Sequence, residues 1–294
     1  MTTAQVSFLL EVRSSKLWHK ATNLLVRLVW YVGLSLLGIV FLLPFFWMLS
    51  TAFKEPGQVF AYPIKWIPDP IVWRNFVDAW KVAPFTRFLQ NTIIITAFCM
   101  VGEILSCSLT AFAFARIPFK GRDILFIVLL ATMMLPPQVT LIPTFIIFSK
   151  LHWVNTFLPL IVPSWFARPF YVFLLRQFFL TIPTELEDAA RVDGSTRLRI
   201  WWNIFIPLSK PAMATVLIFS FIAHWNDFFE PLIYLNSQSK KTLTLGLTTL
   251  RDAYSTQWHW MMAIAVLMVL PCLAIFFMFQ NYFVEGITMT GTKG

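Results

Sequence analysis

Three long stretches without a charged side chain constrain the fold of this chain more than any other feature. They are residues 28–53, 124–149 and 260–284. A helix needs roughly 20 apolar residues to cross the hydrocarbon core of a bilayer, so each stretch can span it. Only 13% of the 294 residues are charged, whereas soluble domains use about 25%. The sequence therefore predicts an all-α membrane protein.

Three less apolar segments complete a set of six predicted transmembrane helices. Residues 91–115 contain Glu103, and residues 156–180 contain two arginines. Residues 211–235 are apolar in their first half and polar in their second half. We predict one membrane domain over residues 28–285, with no linker or low-complexity stretch inside it.

The distribution of basic residues predicts the orientation of the helices. Cytoplasmic loops carry an excess of Lys and Arg. Residues 1–27, 116–123 and 176–210 carry four, three and five of them, whereas the short 150–155 loop carries one. We therefore predict that both terminal tails, residues 1–27 and 286–294, lie in the cytoplasm together with the loop between the fourth and fifth spans.

That fourth loop, residues 182–197, predicts a short helix, a corner and a second helix. Thr184 and Glu187 have the spacing of a capping box. Gly194 stands where a left-handed carboxyl cap would end the helix, and Ser195 can cap the next one. Because the first helix leads with carboxylates and not with Lys or Arg, a protein partner is favoured over the inner leaflet, although a membrane-surface helix stays open.

A longer pattern runs through the same loop. Asp188-Ala189-Ala190 is followed after three residues by Gly194, and nine residues later come Ile204, one residue, Ile206 and Pro207. This resembles the Glu-Ala-Ala, Gly, Ile-x-Leu-Pro signature of permease subunits of binding-protein-dependent ABC importers, with Asp188 and Ile206 as conservative departures. Further stretches are similar to the carbohydrate-type branch, and to its second, shorter permease of the maltose and glycerol-phosphate kind: residues 114–117, 134–138, 225–228, 243–247 and 286–294.

The resemblance implies a subunit without catalytic residues that works in a heteromeric complex in a prokaryotic inner membrane. A second permease subunit, two ATPase subunits and an external solute-binding protein would be its partners. ATP and Mg²⁺ would bind to the ATPase subunits, and this chain would bind no cofactor, metal or nucleic acid. The loop would be the ATPase-coupling helix, with these residues as the candidates: Glu185, Glu187, Asp188, Ala189, Ala190, Asp193, Gly194 and Pro207.

The polar half of the fifth span is the candidate path of a carbohydrate-like solute. Asp227 and Glu230 share a helix face at i and i+3, and His224 lies one turn earlier. Carboxylates that accept hydroxyl hydrogens beside aromatic rings suit a sugar, and Trp225 and Asn226 complete the set. Equally, these residues could mark the wet outer end of the helix or contact the binding protein.

Two single charges inside predicted spans, Glu103 and Arg168, are expected to satisfy each other or to serve function, because charges in membrane helices are costly. In the long 54–90 loop, Asp69 and Pro70 predict a helix start. An apolar face follows at i, i+3, i+4 and i+7, with the helix packed on the bundle or on the membrane surface: Trp73, Phe76, Val77 and Trp80.

Other functions fit the sequence less well. An ABC permease for amino acids or peptides would share the cytoplasmic signature but not the carbohydrate-branch stretches. A secondary solute transporter predicts two homologous halves, and no such repeat is apparent. An intramembrane serine protease needs a Ser/His arrangement in a Gly-rich setting, which the sequence does not offer.

Overall fold

A computed structural model describes the backbone of residues 3–251 and 256–291 and the side chains of residues 26–251 and 256–280. These residues are helical nearly throughout, as predicted, and their one strand-like pairing is an isolated bridge between Arg251 and Thr256. The α-helices are α1 (Thr3–Ala52), α2 (Arg74–Val82), α3 (Phe85–Arg116), α4 (Arg122–Ala131), α5 (Pro137–Lys150), α6 (Leu158–Ile161), α7 (Pro169–Thr181), α8 (Thr184–Val192), α9 (Arg197–Ile200), α10 (Ile206–Leu208), α11 (Lys210–Trp225), α12 (Phe229–Tyr234), α13 (Leu243–Gly246) and α14 (Trp258–Gly291). The 3-10 turns Pro56–Gln58, Thr132–Met134, Val162–Trp165, Gln238–Lys240 and Leu247–Leu250, and the π-helical turn Trp201–Phe205, connect them.

The number of possible membrane crossings among the described residues agrees with six spans. Four stretches are long and apolar enough to cross alone: Val26–Ala52, Phe85–Arg116, Leu158–Thr181 and Trp258–Gln280. Two more crossings arise if each of two bent helix pairs counts once: Arg122–Met134 with Pro137–Lys150, and Arg197–Leu208 with Lys210–Trp225.

Prolines break the predicted third span, residues 124–149, which is not one straight helix. The stretch up to Met134 meets α5 at 97°. Proline lacks an N–H group and disfavours helical backbone in the residue before it. Accordingly, Leu135 and Pro136 are both extended, with ψ of 117° and 133°, before Pro137 starts α5.

The predicted fourth and fifth spans, residues 156–180 and 211–235, are interrupted in the same way. The fourth consists of α6, a 3-10 turn and α7, and each piece has a proline at its first or second position. In the fifth, α11 ends at Trp225 and α12 begins at Phe229. The second half of that prediction, one continuous helix to residue 235, is therefore wrong.

The chain before α2 differs from the prediction of a helix start at Asp69 and Pro70. The helix begins at Arg74, because the preceding segment is tied to the end of α1. Val72 N–H donates to the Phe53 carbonyl at 2.9 Å, and the Gln58 side chain donates to the Asp69 carbonyl at 2.5 Å. Two members of the predicted apolar face, Phe76 and Trp80, pack on the bundle. The other two, Trp73 and Val77, are exposed.

The terminal boundaries also move. The helix of the first span begins by Thr3, so the predicted tail of residues 1–27 is continuous with it, and residues 1–2 lie outside the described residues. The sixth helix runs to Gly291, beyond the predicted boundary at residue 285. Of the predicted tail of residues 286–294, the last three lie outside the described residues.

α3 is the central helix of the bundle. It packs along α7 and along α11, and α11 packs in turn on α14. One apolar cluster joins α3, α7 and the 200–205 stretch at the end of the bundle that carries α8. A second cluster joins the start of α3 to α2, α11 and α14 at the opposite end. By contrast, the apolar part of α1 leaves its surface uncovered, and lipid or another subunit must cover it.

Gly102, in the middle of α3, lets the turn Val162–Trp165 approach closely. A methyl group at Gly102 would lie 2.6 Å from Cδ1 and 2.8 Å from Cγ of Trp165. Gly102→Ala should therefore overpack this contact and destabilise the chain by about 1–3 kcal/mol. Thermal unfolding of the purified protein in detergent measures the effect.

Gly38→Ala in α1 is the matched control, since nothing lies within 4 Å of its added methyl group. Alanine is the better helix former, so this variant should unfold at or above the wild-type temperature. Equal unfolding temperatures for Gly102→Ala and the wild type would contradict the described packing.

Candidate coupling segment and candidate solute surface

The coupling segment, residues 182–208, contains the predicted helix and corner. α8 ends at Val192, and Gly194 adopts the left-handed conformation with φ of +77°, as the sequence predicted. The Ser195 N–H donates to the Ala190 carbonyl at 2.9 Å and closes the end of the helix. Glycine suits this corner because other residues rarely adopt a positive φ.

The capping interactions differ from those predicted. Pro183 precedes α8 without a side-chain cap, so Thr184 and Glu187 form no capping box. Instead, Glu187 is 5% exposed and accepts a hydrogen bond from Nη2 of Arg191, one turn later, at 2.5 Å. The second helix, α9, is capped by Thr196 and not by Ser195, since the Thr196 hydroxyl oxygen accepts from Arg199 N–H.

α8 therefore has two distinct faces. Glu187 is buried and Ala190 packs on the bundle core, so neither of these predicted coupling residues lies on the outer surface of the helix. Leu186, Ala189 and Val192 lie on the opposite side, and Val192 is 89% exposed. The other predicted residues of this segment are also exposed: Glu185, Asp188, Asp193, Gly194 and Pro207.

Arg116, at the end of α3, fixes the approach to α8. Its Nη2 donates to the Phe179 carbonyl at 2.7 Å and to the Ile182 carbonyl, so it binds the last turn of α7 and the residue after it. Its guanidinium also lies over the ring of Phe205, 5.1 Å from the centroid. Sequence reasoning counted Arg116 as a loop charge and as part of the 114–117 resemblance but gave it no structural role; its position directly after a predicted span was the available signal.

The π-helical turn Trp201–Phe205 leads from α9 toward α11. Proline at position 207 has no N–H to donate to the previous turn and would clash with the carbonyl four residues earlier in an α-helix. A wider turn ahead of it relieves this clash, and π-helical turns of this kind are frequent at functional sites. The Arg197–Leu208 stretch then meets α11 at 83°.

In the fifth span, the side chain of Asp227 caps the start of α12. Its Oδ1 accepts from the N–H groups of Phe229 and Glu230 at 3.1 and 3.3 Å. Its own carbonyl accepts from the Thr244 hydroxyl at 2.5 Å. The prediction that Asp227 and Glu230 share one face of a continuous helix is therefore wrong. They lie at a break between α11 and α12.

Trp225 is not available to a solute. Its side chain is 4% exposed and stacks on Phe221, with ring centroids 5.2 Å apart. Its Nε1 donates to the Met268 carbonyl of α14 at 3.0 Å, which satisfies its polar atom inside the bundle. The prediction that Trp225 offers an aromatic platform is wrong, and Phe228, 40% exposed, is the neighbouring ring on the surface.

The remaining polar residues form the candidate solute surface: Asn226, Asp227, Phe228 and Glu230. Asn226 is exposed and donates to the Ile222 carbonyl in its own helix at 3.0 Å. His224 does not join this surface directly, because its ring is largely buried and its Nε2 donates to Glu103 at 3.0 Å. The same carboxylate forms an ion pair with Arg168, whose Nε lies 2.6 Å from Oε1, as the sequence suggested.

Among the described residues, no group of three or more His, Cys, Asp or Glu side chains is arranged to hold a metal ion. The three cysteines are free thiols. The site is thus made of hydrogen-bonding and ionic side chains in a bundle with exposed apolar helices, which suits binding and movement of a polar solute.

Residues 107–289 match the family described as binding-protein-dependent transport system inner membrane component. This match includes the whole coupling segment and the candidate solute surface. The chain belongs to this family. It is a permease subunit with several membrane-spanning helices.

Curated relatives agree along most of the chain. The chain is 33% identical to the probable ABC transporter permease protein YurM of Bacillus subtilis over 280 residues, 91% of each protein. It is 32% identical to the arabinooligosaccharides transport system permease protein AraQ of Halalkalibacterium halodurans, covering 90% of this chain and 95% of that protein. It is 31% identical to the sn-glycerol-3-phosphate transport system permease protein UgpE of Yersinia enterocolitica, with 86% and 92% covered.

The fold is also that of a solved transporter. The chain superimposes with a TM-score of 0.77 on a chain from the crystal structure of a bacterial ABC transporter involved in the import of the acidic polysaccharide alginate. The likeness covers 87% of this chain and 97% of that one at 24% identity. Helix order and packing are therefore those of an ABC transporter permease.

Asp227 can be tested for a role beyond capping α12. Asp227→Ala removes the acceptor for two N–H groups and should destabilise the break by about 1 kcal/mol. Asp227→Asn keeps an oxygen that accepts these bonds but loses the charge. If the carboxylate also binds solute, Asp227→Asn should be as stable as the wild type but should have a higher half-saturation concentration of uptake than the wild type. A wild-type half-saturation concentration in Asp227→Asn would assign Asp227 to capping alone.

Proposed function

We propose that this chain is a permease subunit of an ATP-driven importer that carries a sugar or related solute delivered by an external binding protein. The observation that carries the proposal is α8 with its Gly194 corner inside a segment that matches binding-protein-dependent permeases. Named relatives that transport arabinooligosaccharides and sn-glycerol-3-phosphate support the sugar class.

The proposed complex contains a second permease subunit, two ATPase subunits and the binding protein. ATP and Mg²⁺ would bind on the ATPase subunits, and this chain would perform no catalysis itself. The exposed apolar part of α1 is a surface that lipid or the second permease could cover. Because ATP is supplied in the cytoplasm, α8 and both termini would lie on that side.

α8 would act as the coupling helix through its outer face. Leu186, Ala189 and Val192 provide a small apolar surface, flanked by exposed carboxylates, that could enter a cleft of an ATPase subunit. On the other side, Ala190 packs on the bundle core, and Glu187 is buried and paired with Arg191 of the same helix. Closure of the ATPase dimer would then displace α8 as a rigid body and rock the attached helices.

The docking face is tested by Val192→Glu. A carboxylate placed in an apolar contact loses its hydration without a partner, so the ATPase subunits should bind more than about tenfold more weakly, which corresponds to about 1.4 kcal/mol. Val82→Glu is the matched control, since Val82 is exposed at the other end of the bundle. Affinity is measured by titrating the ATPase onto the permease dimer in nanodiscs.

The assignment of α8 as the coupling helix would be contradicted if both valine variants lost affinity equally, or if neither variant lost affinity. A loss confined to Val82→Glu would place the ATPase on the opposite side of the membrane.

The charge of the candidate solute surface leads to a prediction on solute class. This surface carries two carboxylates, Asp227 and Glu230, while Arg168 is paired with Glu103, so a strongly anionic solute should be disfavoured. In vesicles with the full complex, labelled arabino-oligosaccharides should be taken up faster than alginate oligosaccharides or glycerol-3-phosphate. Faster uptake of either anion would contradict this prediction.

A further inference from the structure

Glu103 is a buried carboxylate that neither the coupling segment nor the candidate solute surface includes. It lies within α3 and its side chain is 0% exposed. A charge in such a place is costly unless it is paired and hydrogen-bonded. Both of its partners bind one oxygen, Oε1: Nε of Arg168 at 2.6 Å and Nε2 of His224 at 3.0 Å.

The two partners stand at matching positions on either side of the coupling segment. Arg168 directly precedes α7, which leads into α8. His224 is the next-to-last residue of α11, the helix that follows the coupling segment. Each helix is about 20 Å long between the coupling segment and Glu103. α7 and α11, which we call the two arms of the coupling segment, thus converge on one oxygen atom of Glu103.

α3 connects the arms at their other end as well. Arg116 lies 13 residues after Glu103, a distance of about 20 Å along the helix. It binds the end of α7 through two carbonyls and lies over Phe205, shortly before α11. α3, α7 and α11 therefore form a frame, with Arg116 joining them near α8 and Glu103 joining them far from it.

The far corner of this frame borders the candidate solute surface. Asn226 and Asp227 follow His224 by two and three residues, directly after the end of α11. Arg168 is also 40% exposed, so it extends from the buried pair toward the surface. Any change in the spacing of α7 and α11 at Glu103 would move the groups that surround the solute path.

We infer that Glu103 is a positioning residue that holds α7 and α11 at one fixed spacing throughout the transport cycle. A displacement of α8 then reaches the solute surface undiminished, because both arms move together as one body. This inference rests on the proposed function, since it takes α8 as the point at which ATP-driven movement enters. A purely structural role would require Glu103 for folding but would leave the spacing in the folded protein independent of it.

The test measures the spacing directly and needs no solute. Phe166 and Ile222 are exposed and lie two residues before Arg168 and His224, respectively. Each is replaced by a cysteine that carries a spin label, in a variant whose three native cysteines are serine. Electron-electron distances are measured in the assembled complex without nucleotide and with ATP and vanadate. The wild type should give one narrow distance that is the same in both states.

Glu103→Gln keeps the shape of the side chain and removes its charge. Its complex should still hydrolyse ATP, but the single distance should be lost and replaced by a broad distribution or by different distances in the two states. Asp78→Asn removes a carboxylate from an exposed pair with Arg74 and should behave as the wild type. The double variant Glu103→Gln with Arg168→Gln avoids leaving the arginine without its counter-ion and serves if the single variant fails to assemble.

Three results would overturn the inference: a wild-type distance that differs between the states, a Glu103→Gln distance equal to that of the wild type, or failure of both variants to assemble. The last result would assign Glu103 to folding alone. Failure of the proposed function would be recognised separately, by a wild-type chain that binds no ATPase subunit.

Discussion

The absence of water inside a bilayer is the constraint on which the rest of this structure depends. Every charge and every backbone group that a proline frees must find its partner within the protein. Two charged residues of α3 find such partners: Glu103 pairs with Arg168 and His224 through Oε1, and Arg116 binds carbonyls at the end of α7 through Nη2. These bonds also determine which helices move together, so the solution to a solvation problem becomes the frame of the subunit.

The same constraint explains why the breaks in the helices lie where they do. Pro136 and Pro137 bend the third crossing, and Pro207 is preceded by a π-helical turn before the chain enters α11. The break after Trp225 is satisfied by the Asp227 side chain and by neighbouring carbonyls. A break that is satisfied internally can expose polar groups at membrane depth, and the candidate solute surface lies at such a break.

Much of this could be predicted from the sequence, because long apolar runs leave few alternatives. The all-α class, a set of apolar helices that allows up to six crossings, and the left-handed conformation of Gly194 followed from composition, length and one glycine. Pairwise geometry could not be predicted. Whether Trp225 faces a solute or Met268 depends on how α11 packs on α14, and the choice between Glu187 capping α8 and binding Arg191 depends on the bundle beneath it. The prolines at 136, 137, 143, 159, 163 and 169 indicate kinked helices, but the sequence does not give the angle of each bend, because neighbouring helices decide how the freed backbone groups are satisfied.

The π-helical turn at Trp201–Phe205 has a consequence for the alignment of the whole second arm. Successive residues of an α-helix are rotated by about 100°, so one residue more or fewer in this turn would swing everything after it to another direction. His224 would then leave Glu103, and Trp225 would leave Met268, although neither residue had changed. The length of this short turn therefore sets the rotational register of α11 and the candidate solute surface relative to the candidate coupling helix α8.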